Sequence, residues 1–438
     1  MLIFATPTLP LGAMGLAMSI YLQNYFAQDL GVGLITISTA FFIVRLIDIP
    51  VDPLLALVID RTKTPLGRYR PWQIAGAPIL MLGIYQLFMA GKGVDLAYLI
   101  VWLLVLYLGS SVLSVARFAW SAKLVTKYEH RSVFYGVLGM VGVIGAVSVL
   151  SMPVIIKGSL ADSVHLMGWT ILALLPIGII LTSLFVPEQV SLDSPTSHAG
   201  LRDYLDLLKR PELVRLFLLS FFTTLGPGWM SNLYLFFFTR ARGFSNGEAS
   251  ALLIPYVLAG ALGAPLIGLT AARFSKHRTL IASTIFYSIG LCTVLLAPKG
   301  NFLLTLPVMF WCGYWGNGFD LMTSAMMADV GDHVRLDHGR ERMGLLFSLI
   351  TLAVKLAGAG AVITAYPLLS AIGFDPKAGA HNSASAIDGL QIAFLVGPIF
   401  FVALGGLCCL GWKLDAKRHE AIRTELEARD ELLARAAS

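Results

Sequence analysis

The stretch FFIVRLIDIPVDPLLALVI, residues 41–59, reads as the middle of a membrane span, yet it carries three ionisable side chains. Arg45, Asp48 and Asp52 stand at i, i+3 and i+7 within the apolar segment 33–58, so a helix presents all three on one face. A charge near the bilayer midplane costs at least ~2.5–3.5 kcal/mol on insertion scales. Three on one stripe have to recover that cost by pairing, by facing a wet cavity or by binding an ion. A structural ion pair locking two helices is the plain alternative, but ionisable residues inside spans as a rule mark ion or substrate paths. Asp48 and Asp52, one turn apart, can chelate a small cation through hard oxygen ligands or share a proton. Arg45, a turn earlier, can neutralise Asp48. Pro50 and Pro53 remove backbone donors, which predicts a helix interrupted there, with free carbonyls along a cavity, or else a simple kink.

The rest of the chain supports a membrane setting. Of its 438 residues 57% are hydrophobic and only 13% charged, with mean hydropathy +0.76; soluble domains carry about 25% charged residues. The expected fold is therefore an all-α membrane protein. Twelve segments have span length: 4–27, 33–58, 72–91, 96–122, 134–157, 165–186, 213–239, 247–271, 279–297, 303–328, 344–370 and 387–412. Residues 1–12 lack the basic region of a cleavable signal and run into the first span, an abrupt start that leaves room for residues upstream. The four cysteines, Cys292, Cys312, Cys408 and Cys409, sit in apolar stretches without metal-ligand spacing and read as small packing residues.

Net charge is +6, but the positives lie in short loops, where they set orientation rather than bind nucleic acid. Alternate loops carry Arg61, Lys63, Arg68 and Arg70, then Lys123, Lys127 and Arg131, then Arg202, Lys209 and Arg210. The later ones carry Arg273, Lys276 and Arg278, then Arg335, Arg340 and Arg342. Opposite loops hold a lone Lys92, Lys157, Lys299 or Lys377, with Arg240 and Arg242 the exception. This bias puts both termini and the central loop in the cytoplasm, with the protein in the cell's inner (plasma) membrane.

The polar, Ser- and Pro-containing segment 187–212 divides the chain into a six-span half at 1–186 and another at 213–413, followed by a charged, helix-prone tail at 414–438 read as solvated or interfacial. DPLLALVIDRTK after span two echoes APLIGLTAARFSK after span eight: Pro53 matches Pro265, Ala56 matches Gly268, and Arg61 matches Arg273. A parallel six-span repeat is the organisation of major facilitator transporters. Asp52 has Ala264 as its counterpart, so the fold does not require an acid there.

Lys355, about twelve residues into span eleven, needs an acid or water; Asp48 or Asp52 across the interface is the natural partner, and a bound cation would displace its ammonium. Snorkelling to the interface is the alternative for such a lysine. Arg117 in span four and Asp320 in span ten are further ionisable candidates. FWCGYWGNGFD, residues 310–320, brings Trp315, Asn317 and Asp320 together, and sugars bind by stacking on aromatics and by hydrogen bonds to carboxylates and amides; the aromatics suit plain packing as well. Tyr21 and Asn24 in span one are weaker candidates of the same kind. A cytoplasmic gate is expected from Asp60, Arg61 and Arg68 on one side and Asp329, Asp332 and Arg340 on the other. There is no Walker loop, enzyme triad or metal pattern, so neither an enzyme nor a cofactor is expected.

RLIDIPVDPLLALVIDRTKTPLGRYRPW (45–72) and MADVGDHVRLDHGRERMGLLFSL (327–349) resemble the glycoside–pentoside–hexuronide:cation symporter family, the melibiose permease-like branch of the major facilitator fold. The resemblance implies secondary active transport, commonly of sugars, driven by H⁺, Na⁺ or Li⁺. By position, Asp48 and Asp52 match the family's cation-site acids, Lys355 matches its span-eleven lysine, and Trp120 matches an aromatic near the sugar. Leu66 replaces the usual aromatic of the basic loop. The family's sugar-site acids are missing: span one reads PLGAMGLAMS, and Ala116 stands at the span-four position with Arg117 beside it. Asp320 stands where the family carries an aromatic, and Val51 replaces the asparagine that helps hold sodium. These departures argue against melibiose, favour H⁺ over Na⁺, and through Arg117 favour an anionic solute.

The expected function is cation-coupled symport of a sugar, sugar acid or related small organic solute by a monomer in the bilayer. The alternative is a lysolipid or other amphipathic-solute carrier of the same fold branch; a non-transporting receptor would leave the span-two acids with nothing to do.

Overall fold

The computed structural model describes residues 1–124, 128–156, 158–188, 209–338, 343–412, 414 and 416–437. Most of these residues are helical, and thirteen long helices follow one another among them. They are α1 Leu2–Gln28, α2 Leu34–Arg61, α3 Arg70–Phe88, α4 Leu96–Leu124, α5 Tyr128–Ile156, α6 Leu160–Phe185 and α7 Pro211–Ala241. Then come α8 Asn246–Phe274, α9 Lys276–Leu296, α10 Phe302–His338, α11 Met343–Ala371, α12 Ala384–Cys408 and α13 Ala416–Ala437.

Against the twelve expected spans, nine of the described helices qualify by length and composition to cross a membrane. Of the expected spans, α2, α3 and α10 stand outside that set, and two of these carry the intramembrane acids Asp48, Asp52 and Asp320. The protein is a multi-pass membrane protein.

Two boundaries differ from expectation for physical reasons. Pro50 and Pro53 do not interrupt α2, which runs unbroken from Leu34 to Arg61. The charged segment after span ten, expected as a loop, continues α10 to His338. Met326, Val330 and Val334 recur every four residues there and are all buried, giving the extension an apolar stripe to pack.

The tail also differs from a merely solvated helix. Ile422 and Leu426 of α13 are buried in the same cluster as Val330 and Val334, so the tail docks on the end of α10. The central loop lies mostly at 189–208, outside the described residues.

The internal echo persists in the backbone. Gly31 ends α1 and Gly243 ends α7, both at positive φ (69° and 76°), a conformation glycine adopts without steric cost. Gly33 then caps α2 and Ser245 caps α8, at the same sequence offset.

Without a hydrophobic driving force between helices in lipid, close approach and hydrogen bonds carry association. A Cβ on Gly145 of α5 would strike the Leu9 carbonyl of α1, so that crossing depends on a missing side chain. At the end of the molecule remote from the basic loops, packing is dense. Phe237 stacks on Phe394 with ring centroids 3.9 Å apart, and Tyr21 of α1 donates to Ser250 Oγ of α8 at 2.7 Å. Ala378 N–H donates to the Gln28 carbonyl at 3.0 Å, fastening the α11–α12 loop to the end of α1.

Candidate cation and solute site

Between α1, α2 and α4 on one side and α7 and α11 on the other lies a cavity of about 370 Å³. The stripe on α2 faces it. Lys355 Nζ, from α11, lies 2.8 Å from Asp48 Oδ2 and 2.7 Å from Asp52 Oδ2, and donates to the Asp48 carbonyl at 3.3 Å. Arg45 Nη1 lies 3.3 Å from Asp48 Oδ2, and its guanidinium sits 4.4 Å over the Tyr107 ring, a cation–π contact. Ser111 Oγ donates to Asp48 Oδ1 at 3.0 Å. The two acids and two bases thus cancel in formal charge, which answers the desolvation cost of placing them in a span.

The two carboxylates are not equivalent. Asp48, 3% exposed, has both oxygens engaged, one by Ser111 and the other by Lys355 and Arg45. Asp52 has Oδ2 on Lys355, but its Oδ1 is buried without a hydrogen-bond partner. Asp52 therefore keeps an acceptor available for a proton or a small cation, while Asp48 is fixed.

A second recess of about 420 Å³, lined by α5, α7, α8 and α10, adjoins the first; both are walled by Gly228 and Ser231. Asn317 and Asp320 of α10 reach it, joined by Tyr256 of α8 and Thr223 of α7. Together the recesses form a chamber with mostly apolar walls, with fixed charges in one lobe and a carboxylate, an amide and hydroxyls in the other.

The remaining expected site residues lie elsewhere. Trp315 stacks on Phe286 of α9 at 4.7 Å between centroids and does not line the chamber. Arg117 donates through Nη2 to the Phe4 carbonyl at 2.6 Å and to Thr8 Oγ1 at 2.5 Å, tying α4 to α1. Trp120 packs edge-on against Phe4 in the same buried cluster. Tyr21 is buried on Ser250, and Asn24 is buried with its amide on the Ile20 carbonyl. Ser111, Tyr107, Tyr256 and Ser231 carry no signal in the sequence that marks them out, and Gln23 and Asn232 both line the charged lobe.

Two of the expected gate residues, Asp329 and Asp332, are paired at the basic end. Asp329 meets Lys276 Nζ at 2.6 Å and His419 Nε2 at 3.3 Å, and Asp332 meets His419 at 3.0 Å. The loop containing Arg68 is held by Glu188, whose carboxylate accepts from the backbone N–H of Arg68, Tyr69 and Arg70 at 2.5, 2.8 and 3.3 Å. Asp60 and Arg61 end α2 beside that loop, with Arg61 exposed. Arg340 lies outside the described residues.

Comparison with known proteins agrees with this architecture. The family described as MFS/sugar transport protein matches residues 3–416. The chain is 23% identical over 415 residues to the isoprimeverose transporter of Lactiplantibacillus pentosus, covering 91% of this chain and 85% of that one. It is 23% identical over 423 residues to the putative glycoside/cation symporter YagG of Escherichia coli (strain K12), covering 93% and 90%. Among solved structures, the nucleoside transporter NupG superposes with a TM-score of 0.69 at 14% identity, covering 94% of this chain and 98% of that one, a likeness of fold.

Proposed function

Because the chain belongs to the MFS/sugar transport protein family, and so is a membrane transporter rather than an enzyme, we propose that it is a cation-coupled sugar symporter. It works by alternating access between two six-helix halves, 1–186 and 213–413, with both termini and the basic loops in the cytoplasm of the cell. The solute is a glycoside or related small polyol. The names of the two relatives support a carbohydrate and a cation partner, and with them a sugar over a lysolipid.

The observation that carries the coupling is the bridge from Lys355 to both Asp48 and Asp52. Lys355 belongs to the C-terminal half and the acids to the N-terminal half, so the ammonium is a clasp between them. A proton or monovalent cation arriving at Asp52 Oδ1 lowers that residue's attraction for Lys355. The ammonium then leaves Asp52, and α11 is freed to move against α2. Asp48 retains Ser111 and Arg45, so its charge stays compensated through the change. We favour H⁺ over Na⁺ because the neighbours of Asp52 include Val51 rather than an amide oxygen, and a lone free carboxylate oxygen suits a proton better than a multi-oxygen cage.

At the basic end the gate acids Asp329 and Asp332 pair with Lys276 and His419, while the remote end is closed by Tyr21–Ser250 and Ala378–Gln28. A closed remote end is what an inward-facing conformer requires. Arg117 is engaged with Phe4 and Thr8, so the preference for an anionic solute loses its support. Asn317 and Asp320 are the solute's hydrogen-bonding partners in this reading. Uptake of labelled glycosides into proteoliposomes under an imposed pH or Na⁺ gradient tests it. Accumulation that follows the pH gradient is expected; accumulation indifferent to both gradients overturns the symport reading.

A further inference from the structure

At the end remote from the basic loops a separate recess of about 1020 Å³ opens between the ends of α1 and α7 and the starts of α6 and α8. It lies on the opposite side of the closed packing from the central chamber. Three of its lining side chains hold a buried polar atom without a partner: Gln28 Nε2, Asp29 Oδ2 and Arg240 Nε. Gln28 is itself 91% buried, being 9% exposed, so its amide is positioned by packing. The two donors and one acceptor come from both ends of the chain's repeat, Gln28 and Asp29 from α1 and its end and Arg240 from α7. Unsatisfied buried polar groups are costly and rare, so three on the side chains around one recess point to a hydrogen-bonding occupant that they meet by a small side-chain adjustment.

The chemistry of that occupant follows from the groups. Vicinal hydroxyls both donate and accept, and match a carboxylate oxygen beside an amide and a guanidinium N–H. Phe302 lines the same recess and offers aromatic surface to the C–H face of a sugar ring. Arg240 offsets one of the two carboxylates of the recess, and Glu248 accepts from Ser245 N–H and Oγ at 2.9 Å in the capping box of α8. Burial, then the nearby Asp162, push the Asp29 carboxyl upward, with His165 opposing, which further suits a neutral partner. The volume is at the upper end of small-molecule pockets, enough for a glycoside and accompanying water.

We propose that this recess is an outer vestibule site that binds a polyhydroxylated solute before it enters the central chamber. The site also accounts for Arg240, the exception to the charge bias of the loops. Its Nη2 holds the Lys377 carbonyl at 3.1 Å, in the loop that fastens the closed end. The proposal rests on the sugar-transport reading and adds a second place of binding to it.

Equilibrium dialysis of the full-length protein in nanodiscs against isoprimeverose, lactose and methyl-β-xyloside, up to tens of millimolar, tests it. The expected result is two molecules of a bound sugar per chain. Gln28→Leu and, separately, Arg240→Met each remove one and leave the one that Asp320→Asn removes; the retained site also reports that each variant is folded. A single bound sugar, sensitive to Asp320→Asn and indifferent to both Gln28→Leu and Arg240→Met, overturns the vestibule and leaves the transport reading standing. A chain that binds none of the three sugars overturns both.

Discussion

Lys355 on α11 holds Asp48 and Asp52 on α2 at once, with Nζ–O distances of 2.8 and 2.7 Å. Removing one partner of a buried ion pair leaves uncompensated charge and costs about 3–5 kcal/mol. Lys355→Ala is therefore expected to lower the melting temperature of the purified protein and to uncouple or inactivate transport. The ratio of ion to solute flux in proteoliposomes checks this; an unchanged ratio counts against the clasp.

Asp52 is the carboxylate with an oxygen to spare, and it is 27% exposed to the chamber. Asp52→Asn keeps the shape and removes the carboxylate. Expression and folding should stay near normal while concentrative uptake disappears and solute exchange survives. Measuring accumulation against exchange in the same vesicles separates the two.

Asp48 is predicted to be an anchor. Its hydrogen bond from Ser111, to a charged acceptor, is worth about 1.5–3 kcal/mol. Ser111→Ala should lower thermal stability by that order and leave gradient-driven accumulation in place. Loss of coupling as complete as in Asp52→Asn would contradict the division of roles between the two acids.

Arg117 joins α4 to the start of α1 through Phe4 and Thr8. Arg117→Gln should reduce stability by about 1–3 kcal/mol, the scale of lost charge-assisted hydrogen bonds, with the KM for a neutral glycoside unchanged. A KM shift of tenfold or more without a stability change would return Arg117 to the solute site.

Glu188 places a carboxylate over three backbone N–H groups at the start of α3, a position where a helix N-terminus favours negative charge. Glu188→Gln should speed amide exchange at residues 68–70 severalfold in hydrogen–deuterium exchange. Unaltered exchange there would mean that the loop is held by other contacts.

What the chain discloses in advance follows from cost. Charges in a span are expensive, so Arg45, Asp48, Asp52 and Lys355 stand out, and the structure brings all four together. Neutral hydroxyls carry no such penalty, which is why Ser111, Tyr107 and Tyr256 are silent in the sequence. Cost does not reveal direction, however: Arg117 is as conspicuous as Arg45 yet turns to the α1 backbone. On α10, Trp311 and Trp315 fall on the face toward Phe286, while Gly316, Asn317 and Asp320 fall on the chamber face. Composition alone does not separate those two faces. The docking of α13 is written in the spacing of Ile422 and Leu426, but its partner stripe on α10 is hidden in a segment whose charges suggest a loop.

The most direct test of the account follows protons with solute. Proteoliposomes carrying a luminal pH dye, held without an initial gradient, are given an inward concentration gradient of a transported glycoside. Wild-type protein should acidify the lumen in step with uptake, and Asp52→Asn should admit the glycoside with no pH change. Proton movement that persists with solute in Asp52→Asn would contradict the claim that the coupling ion and Lys355 compete for Asp52.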